Sequence, residues 1–251
     1  MRVTDYTVND IRIRRFLPDN EQTVSRLVVA VHGFGGDKDS TCIGVLAEKL
    51  CGSGGAVYTF DLPCHGESPL PDTALNTECC MEHLCTVVRH AKEQCPQAAG
   101  GIFATSFGGY TALIAMPRLE ELLGENFPLV LRAPAVNPAK TFLWIVHMKT
   151  AEQFREKGTV RCRIGKRISI SYSFYEDMIA HSCMHNIDHD GLLLYGSEDN
   201  IVLRDDIEDF CRRNPRISLH IAEGVDHRPH GEALDAMVSK AVQYLDSRFA
   251  Q

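Results

Sequence analysis

At 251 residues the chain is long enough for one large α/β domain with a sizeable core. Its 44% hydrophobic and 24% charged residues are ordinary for a soluble globular protein. A net charge of -7 argues against nucleic-acid and membrane partners, because the chain repels polyanions.

The chain opens with two alternating stretches, Val3 to Val8 and Ile11 to Phe16, joined at Asn9-Asp10, which reads as a β-hairpin. Arg26 to Val31 is a nearly continuous apolar run, as expected of a strand buried on both faces, and it leads into His32-Gly33-Phe34-Gly35-Gly36-Asp37. Ser40 or Thr41 then caps a helix through Leu50, and Ala56 to Phe60 forms a second buried strand. A helix from about Thr77 to Gln94 carries Met81, Leu84, Val87, Val88 and Ala91 at helical spacing. Another strand ends in Ala104-Thr105-Ser106-Phe107-Gly108, followed by a helix over Tyr110 to Met116 and a strand at Leu129-Val130-Leu131. Strands alternating with helices argue for a mostly parallel sheet with right-handed crossovers, the hairpin supplying an antiparallel edge.

After Pro134 the rhythm changes. About 137–186 reads as a small inserted cap within a single domain spanning 1–251. The cap holds the aromatic-rich run Phe142 to Val146. It also holds a hairpin in which Val160, Cys162 and Ile164 face Ile168, Ile170 and Tyr172 across a Gly165-Lys166 turn. The main rhythm returns with Leu192 to Tyr195, a helix over Leu203 to Arg213, a strand Ile217 to Ile221 and a closing helix from about Glu232 to Phe249. The ten cysteines are scattered, several within apolar periodic stretches, which reads as reduced thiols and a cytoplasmic protein. Met1 to Asp5 does not read as a signal peptide, and no apolar run is long enough for a membrane span.

The stretch Gly101 to Tyr110 carries the chemistry. Strand, sharp turn, serine and helix are the context of a nucleophile elbow, with small residues at Ala104 and Gly108 allowing the turn. A serine hydroxyl needs a base within hydrogen-bond reach and a carboxylate to orient that base. Both follow in the required order at later strand ends: Gly196-Ser197-Glu198-Asp199 and Glu223-Gly224-Val225-Asp226-His227. The triad is therefore Ser106, Asp199 and His227, with Glu198 the weaker choice of acid and His230 the weaker choice of base. His65 reads as a buried brace. His181, His185 and His189 fall at i, i+4, i+8 and would share one helical face, but without an H-E-x-x-H pattern no metal is expected there.

These motifs resemble the α/β-hydrolase family over essentially the whole chain. Within it they are similar to small capped carboxylesterases of the cinnamoyl or feruloyl type and to serine-aminopeptidase-like hydrolases. The shared segments are His32 to Ser40, Asp61 to Ser68, the elbow, Ala133-Pro134-Ala135, Gly196 to Val202 and Gly224 to His227. The resemblance implies an α/β-hydrolase fold, no cofactor, and an oxyanion hole made by the amides of Phe34 and Phe107. It also implies that Asp177 hydrogen-bonds a phenolic hydroxyl, and the aromatic cap residues Trp144 and Tyr172 are candidate substrate contacts beside it. One departure is Cys64, which stands where the family's Asp-x-x-Gly-His-Gly-x-Ser run has glycine.

The expected reaction is hydrolysis of a small-molecule carboxylic ester through an acyl-enzyme. An acyl-thioesterase, supported by the basic cap residues Lys140, Lys149, Lys157, Arg161, Arg163, Lys166 and Arg167, or an amidase or peptidase would use the same triad. A non-catalytic binding protein ranks lowest because all three triad positions are filled. The choice between monomer and homodimer stays open.

Overall fold

In a computed structural model that describes residues 1–19, 24–162 and 168–250, Asn9 and Asp10 both sit at positive φ, 47° and 65°. A two-residue turn of that hand matches the twist of the strands it joins, so β1 (Arg2–Val8) and β2 (Ile11–Leu17) pair antiparallel with Val8 opposite Ile11. The alternating strand–helix rhythm then builds β3 (Arg26–Val31), α1 (Thr41–Gly52), β4 (Ala56–Phe60), α2 (Thr77–Gln94), β5 (Ala99–Thr105), α3 (Phe107–Ile114), α4 (Met116–Leu123) and β6 (Leu129–Arg132).

The segment that follows β6 holds α5 (Pro138–Ile145), α6 (Ala151–Lys157), β7 (Thr159–Arg161), β8 (Ser169–Ser171) and α7 (Tyr172–Ala180). The chain closes with β9 (Gly191–Gly196), α8 (Arg204–Arg213), β10 (Ile217–Ala222) and α9 (Gly231–Phe249). Among the described residues, eight strands form one sheet in the order β1-β2-β4-β3-β5-β6-β9-β10. β2 runs antiparallel to β4, and every pairing from β4 to β10 is parallel. The antiparallel edge and parallel body are those expected.

Alternation along the strands divides the core in two. Leu27, Val29 and Val31 of β3 face the layer built by α2, α3 and α4, whereas Val28 and Ala30 face the layer of α1 and α9. α2 begins where its capping chemistry dictates: the side chain of Asn76 accepts from the Cys79 amide at 2.8 Å. α3 starts earlier than the periodicity indicates, at Phe107, because the chain turns into the helix directly from Ser106.

The inserted segment departs from expectation at its ends. β7 and β8 pair as a hairpin, with Val160 opposite Ile170, but Tyr172 is the first residue of α7 rather than a strand residue. Ile164, Gly165 and Lys166, assigned to the hairpin, lie outside the described residues. α7 ends at Ala180, so His181, His185 and His189 do not share a helix. His189 is buried, with one ring nitrogen 3.1 Å from the Glu125 carbonyl and the other 3.0 Å from that of Phe127, to one of which the neutral ring donates, while His185 is exposed. The insertion is held down by aromatic contacts: Phe142 of α5 meets Phe34 and Phe107 at centroid distances of 5.0 and 5.6 Å, and Phe174 of α7 meets Phe107 at 6.1 Å.

The packing of α3 on β3 leaves no room for a side chain at Gly108. A Cβ on Gly108 would lie 2.5 Å from the His32 carbonyl oxygen and 2.7 Å from that of Val31. Gly108→Ala is therefore expected to cost about 1–3 kcal/mol, read as a lower urea midpoint with unchanged slope.

Candidate active site

β5 ends at Thr105 and α3 begins at Phe107, so the single residue between them must reverse the chain. Ser106 does so at φ 51°, ψ -116°, a strained conformation of the kind found at functional sites. Three backbone bonds hold it. Its amide donates to the Arg132 carbonyl at 2.9 Å, and its carbonyl accepts from Tyr110 and Ala135 at 3.1 and 3.0 Å. The side chain is left at the carboxyl edge of the sheet, where parallel α/β sheets gather their ligands.

The loops after β9 and β10 meet it there. His227 lies 3.1 Å from Ser106 Oγ through Nε2 and 2.6 Å from Asp199 Oδ2 through Nδ1. Because a carboxylate only accepts, Nδ1 carries the proton and Nε2 is free to accept from the serine hydroxyl. Asp199 cannot swing away: its Oδ1 accepts from the amides of Ile201 and Val202, each at 2.9 Å, and its side chain is fully buried. Glu198, the alternative acid, is exposed, and so is His230.

The third wall is the turn after β3. Gly33 packs against Ser106, whose Cβ would stand 3.0 Å from any Cβ placed on that glycine. Phe34 follows it in the cavity wall. Phe107, as the first residue of α3, has an amide with no carbonyl to reach within its helix. The turn is braced from below by the buried Asp61 carboxylate, which accepts from the amides of Lys38 and Glu67 at 2.8 Å each. Lys38 is itself buried. Desolvation works against its charge, but the bond to Glu67 and the charges of Asp61 and Asp39 outweigh it and hold its pKa above the usual lysine value.

His32 braces the turn from the side. Its Nδ1 donates to the Gly33 carbonyl at 2.8 Å while Nε2 accepts from the Leu62 amide at 3.1 Å. Burial depresses its pKa against the pull of Gly33, Asp61 and Asp37, so it is held neutral. His65 is fully buried and bonds the Pro63 carbonyl, with its ring edge-on to Phe34. Cys64, in the place of the expected glycine, takes φ 67°. Glycine is usual there because the backbone is left-handed; the cysteine is anchored by its Sγ on the Pro71 carbonyl at 3.0 Å.

Together these walls enclose a cavity of about 290 Å³, at the lower end for small-molecule sites, about 300–1,000 Å³. Ser106, His227 and Phe34 line it with Ile145, Ile201, Arg132 and Arg228. Trp144 does not line it but stands on an adjoining groove shared with His227, Ile201 and Arg228.

The other two predicted substrate contacts are elsewhere. Asp177 accepts from the Thr77 amide at 2.7 Å and lies 3.1 Å from His181 Nδ1, so its carboxylate serves the start of α2 and is not part of the cavity wall. Tyr172 packs on Phe154 and Tyr175, away from the serine. Of the basic cap residues, Lys140 is bonded to Asp206 at 2.7 Å, and Arg163, Lys166 and Arg167 fall outside the described residues. Arg132 and Arg228, which sequence reasoning passed over, are in the wall. The signal was a lone charge closing the apolar run Leu129 to Leu131.

A model of the alpha/beta hydrolase family matches residues 28–240, most of the chain. The chain belongs to that family. Solved structures agree in fold. Est1E from Butyrivibrio proteoclasticus, solved with ferulic acid bound, superposes with a TM-score of 0.84 at 15% identity, covering 99% of this chain and all of that one. Alpha/beta hydrolase domain-containing protein 10 from mouse gives 0.76 at 17% identity over 98% and 99% of the two chains. A soluble variant of monoglyceride lipase from Saccharomyces cerevisiae, in complex with a substrate analog, gives 0.72 at 15% identity over 98% and 95%. No sequence among curated proteins matches. Membership of this family with esterase and lipase neighbours supports hydrolase activity, and no helix among the described residues is long and apolar enough to cross a membrane.

The neutral histidines set a pH dependence of stability. Burial lowers the pKa of His32, His83 and His189 in the folded state. The unfolded chain takes up protons below about pH 6.5 that the native state refuses. Stability is therefore fully present above that pH and declines as pH falls from about 7 to 5. Unfolding free energies measured across this window are expected to fall, with a shallower slope in His32→Asn than in the wild type.

Proposed function

We propose that the chain is a serine hydrolase of carboxylic esters. The observation that carries this reading is the continuous hydrogen-bonded series from Asp199 through His227 to Ser106, ending at a cavity of small-molecule size. In this reading His227 takes the proton of Ser106 as the hydroxyl attacks the ester carbonyl, and Asp199 holds the ring and stabilises the imidazolium. The amides of Phe34 and Phe107 would receive the oxyanion, which the close packing of Gly33 on Ser106 and the open first turn of α3 support. His227 then returns the proton to the leaving alcohol, and a water activated by the same ring releases the acid from the acyl-enzyme. No step requires a cofactor.

The insertion between β6 and β9 is proposed as a cap. Its α5 supplies Ile145 to the cavity and Trp144 to the adjoining groove, positions suited to the apolar parts of a substrate. The cavity's volume favours short acyl groups over long chains. The ten cysteines are free thiols, which supports the expectation of a reducing, cytoplasmic compartment.

The test is turnover of a 4-nitrophenyl ester series. Ser106→Ala is expected to lose at least about a thousandfold in kcat/KM with its melting temperature little changed, and Asp199→Asn a comparable factor. Wild-type rates are expected to fall from butyrate to decanoate. Equal turnover by wild type and Ser106→Ala would overturn the assignment.

A further inference from the structure

Arg132 closes β6 and turns its side chain toward the α1 and α9 side of the sheet, where it lines the cavity. The residue is 8% exposed, and its guanidinium stays charged at any physiological pH. One Nη donates to the His227 carbonyl at 2.9 Å, and the Cys42 side chain at the start of α1 is a further hydrogen-bond neighbour of the guanidinium. Its Nε is buried and has no partner. Among the described residues no carboxylate lies within ion-pair distance of it. A charge withdrawn from water without a counter-ion is costly unless something else supplies one.

The surroundings point the same way. Among the described residues the cavity wall contains no Asp or Glu, and its only charged side chains are Arg132 and the exposed Arg228. Ser40, also in the wall, precedes α1, whose 12 residues begin with no side-chain cap and no acidic residue in the first turn. Two arginines and the residue that precedes an uncapped helix thus border the cavity that Ser106 opens into.

We propose that this side of the cavity is a carboxylate subsite, and that the ester hydrolysed carries a second, negatively charged carboxylate held by Arg132 and Arg228. The planar fork of arginine matches a carboxylate in two hydrogen bonds. The substrate class is thereby narrowed from neutral esters to half-esters of short dicarboxylic acids or esters of similar charge. This rests on the esterase reading for its substrate, but not for its binding site.

Binding is therefore tested without turnover. Monomethyl glutarate and dimethyl glutarate are titrated calorimetrically into Ser106→Ala, and the mono-4-nitrophenyl ester of glutaric acid is compared with 4-nitrophenyl valerate in the wild type. The charged ester is expected to bind at least about tenfold more tightly than the neutral one, and to be favoured by a similar factor in kcat/KM through KM. Ser106→Ala/Arg132→Met is expected to abolish the binding preference, and Arg228→Met, at an exposed position, to lower it a few-fold.

Equal or weaker binding of monomethyl glutarate overturns the subsite. So does an Arg132→Met variant that loses kcat equally on both nitrophenyl esters with their ratio unchanged, which would leave the arginine only as a support for the His227 loop. Should Arg132→Met not fold, full retention of the preference in Arg228→Met overturns it. Loss of ester turnover with the binding preference intact would instead sink the esterase reading and leave the subsite standing.

Discussion

Ser106 stands in a backbone conformation that an L-residue resists, and the surrounding structure is arranged to hold it there. The strain, of order 1–3 kcal/mol, is met by three main-chain bonds, from its own amide to Arg132 and from Tyr110 and Ala135 to its carbonyl. Two of those bonds tie the turn to β6 and the segment after it, and the third opens α3, which lies close against β3 because Gly108 has no side chain. Gly33 packs against Ser106 from the turn after β3. Ser106 is thus positioned by backbone bonding, and the side-chain bonds to His227 and Asp199 come after it.

The supports of the site are layered by the two faces of the sheet. On one face Asp61, His32 and His65 hold the turns after β3 and β4 together with buried hydrogen bonds. On the other, Arg132 reaches the loop that carries His227. The inserted segment is joined to the first face by rings, Phe142 and Phe174 against Phe34 and Phe107. These rings near Ser106 therefore hold the inserted segment to the sheet, and of the aromatic residues of α5 Trp144 stays 43% exposed beside the cavity.

What could be read in the amino-acid order was whatever depends on neighbours along the chain. The extent of α2 follows from a helical apolar stripe, and the turn at Ser106 from a strand running into small residues around it. Strand-end placement also brought Asp199 and His227 within reach of that serine. Legibility failed where a side chain's use is decided by a partner far along the chain. Asp177 serves Thr77, 100 residues earlier, and no local pattern marks it as a helix partner rather than a substrate contact. Tyr172 continued an alternating pattern, but the Ser171 side chain accepts from the Phe174 amide and starts a helix instead. Arg132 drew no attention, because a single charge after three apolar residues does not reveal that the strand includes it.

The placement of His227 carries a consequence for how the protein loses function on heating. The histidine follows β10, which among the described residues ends the sheet and pairs only with β9, and whose residues after Ile217 are half-buried or exposed. Ser106, by contrast, follows β5 in the middle of the sheet. Edge elements with few buried contacts open more readily than the centre. His227 therefore sits on a more weakly held part of the sheet than Ser106, and partial opening at that border would separate the two side chains while most of the sheet stays intact. Inactivation would then come before melting, and cooling would restore it as long as the central strands had kept their pairing.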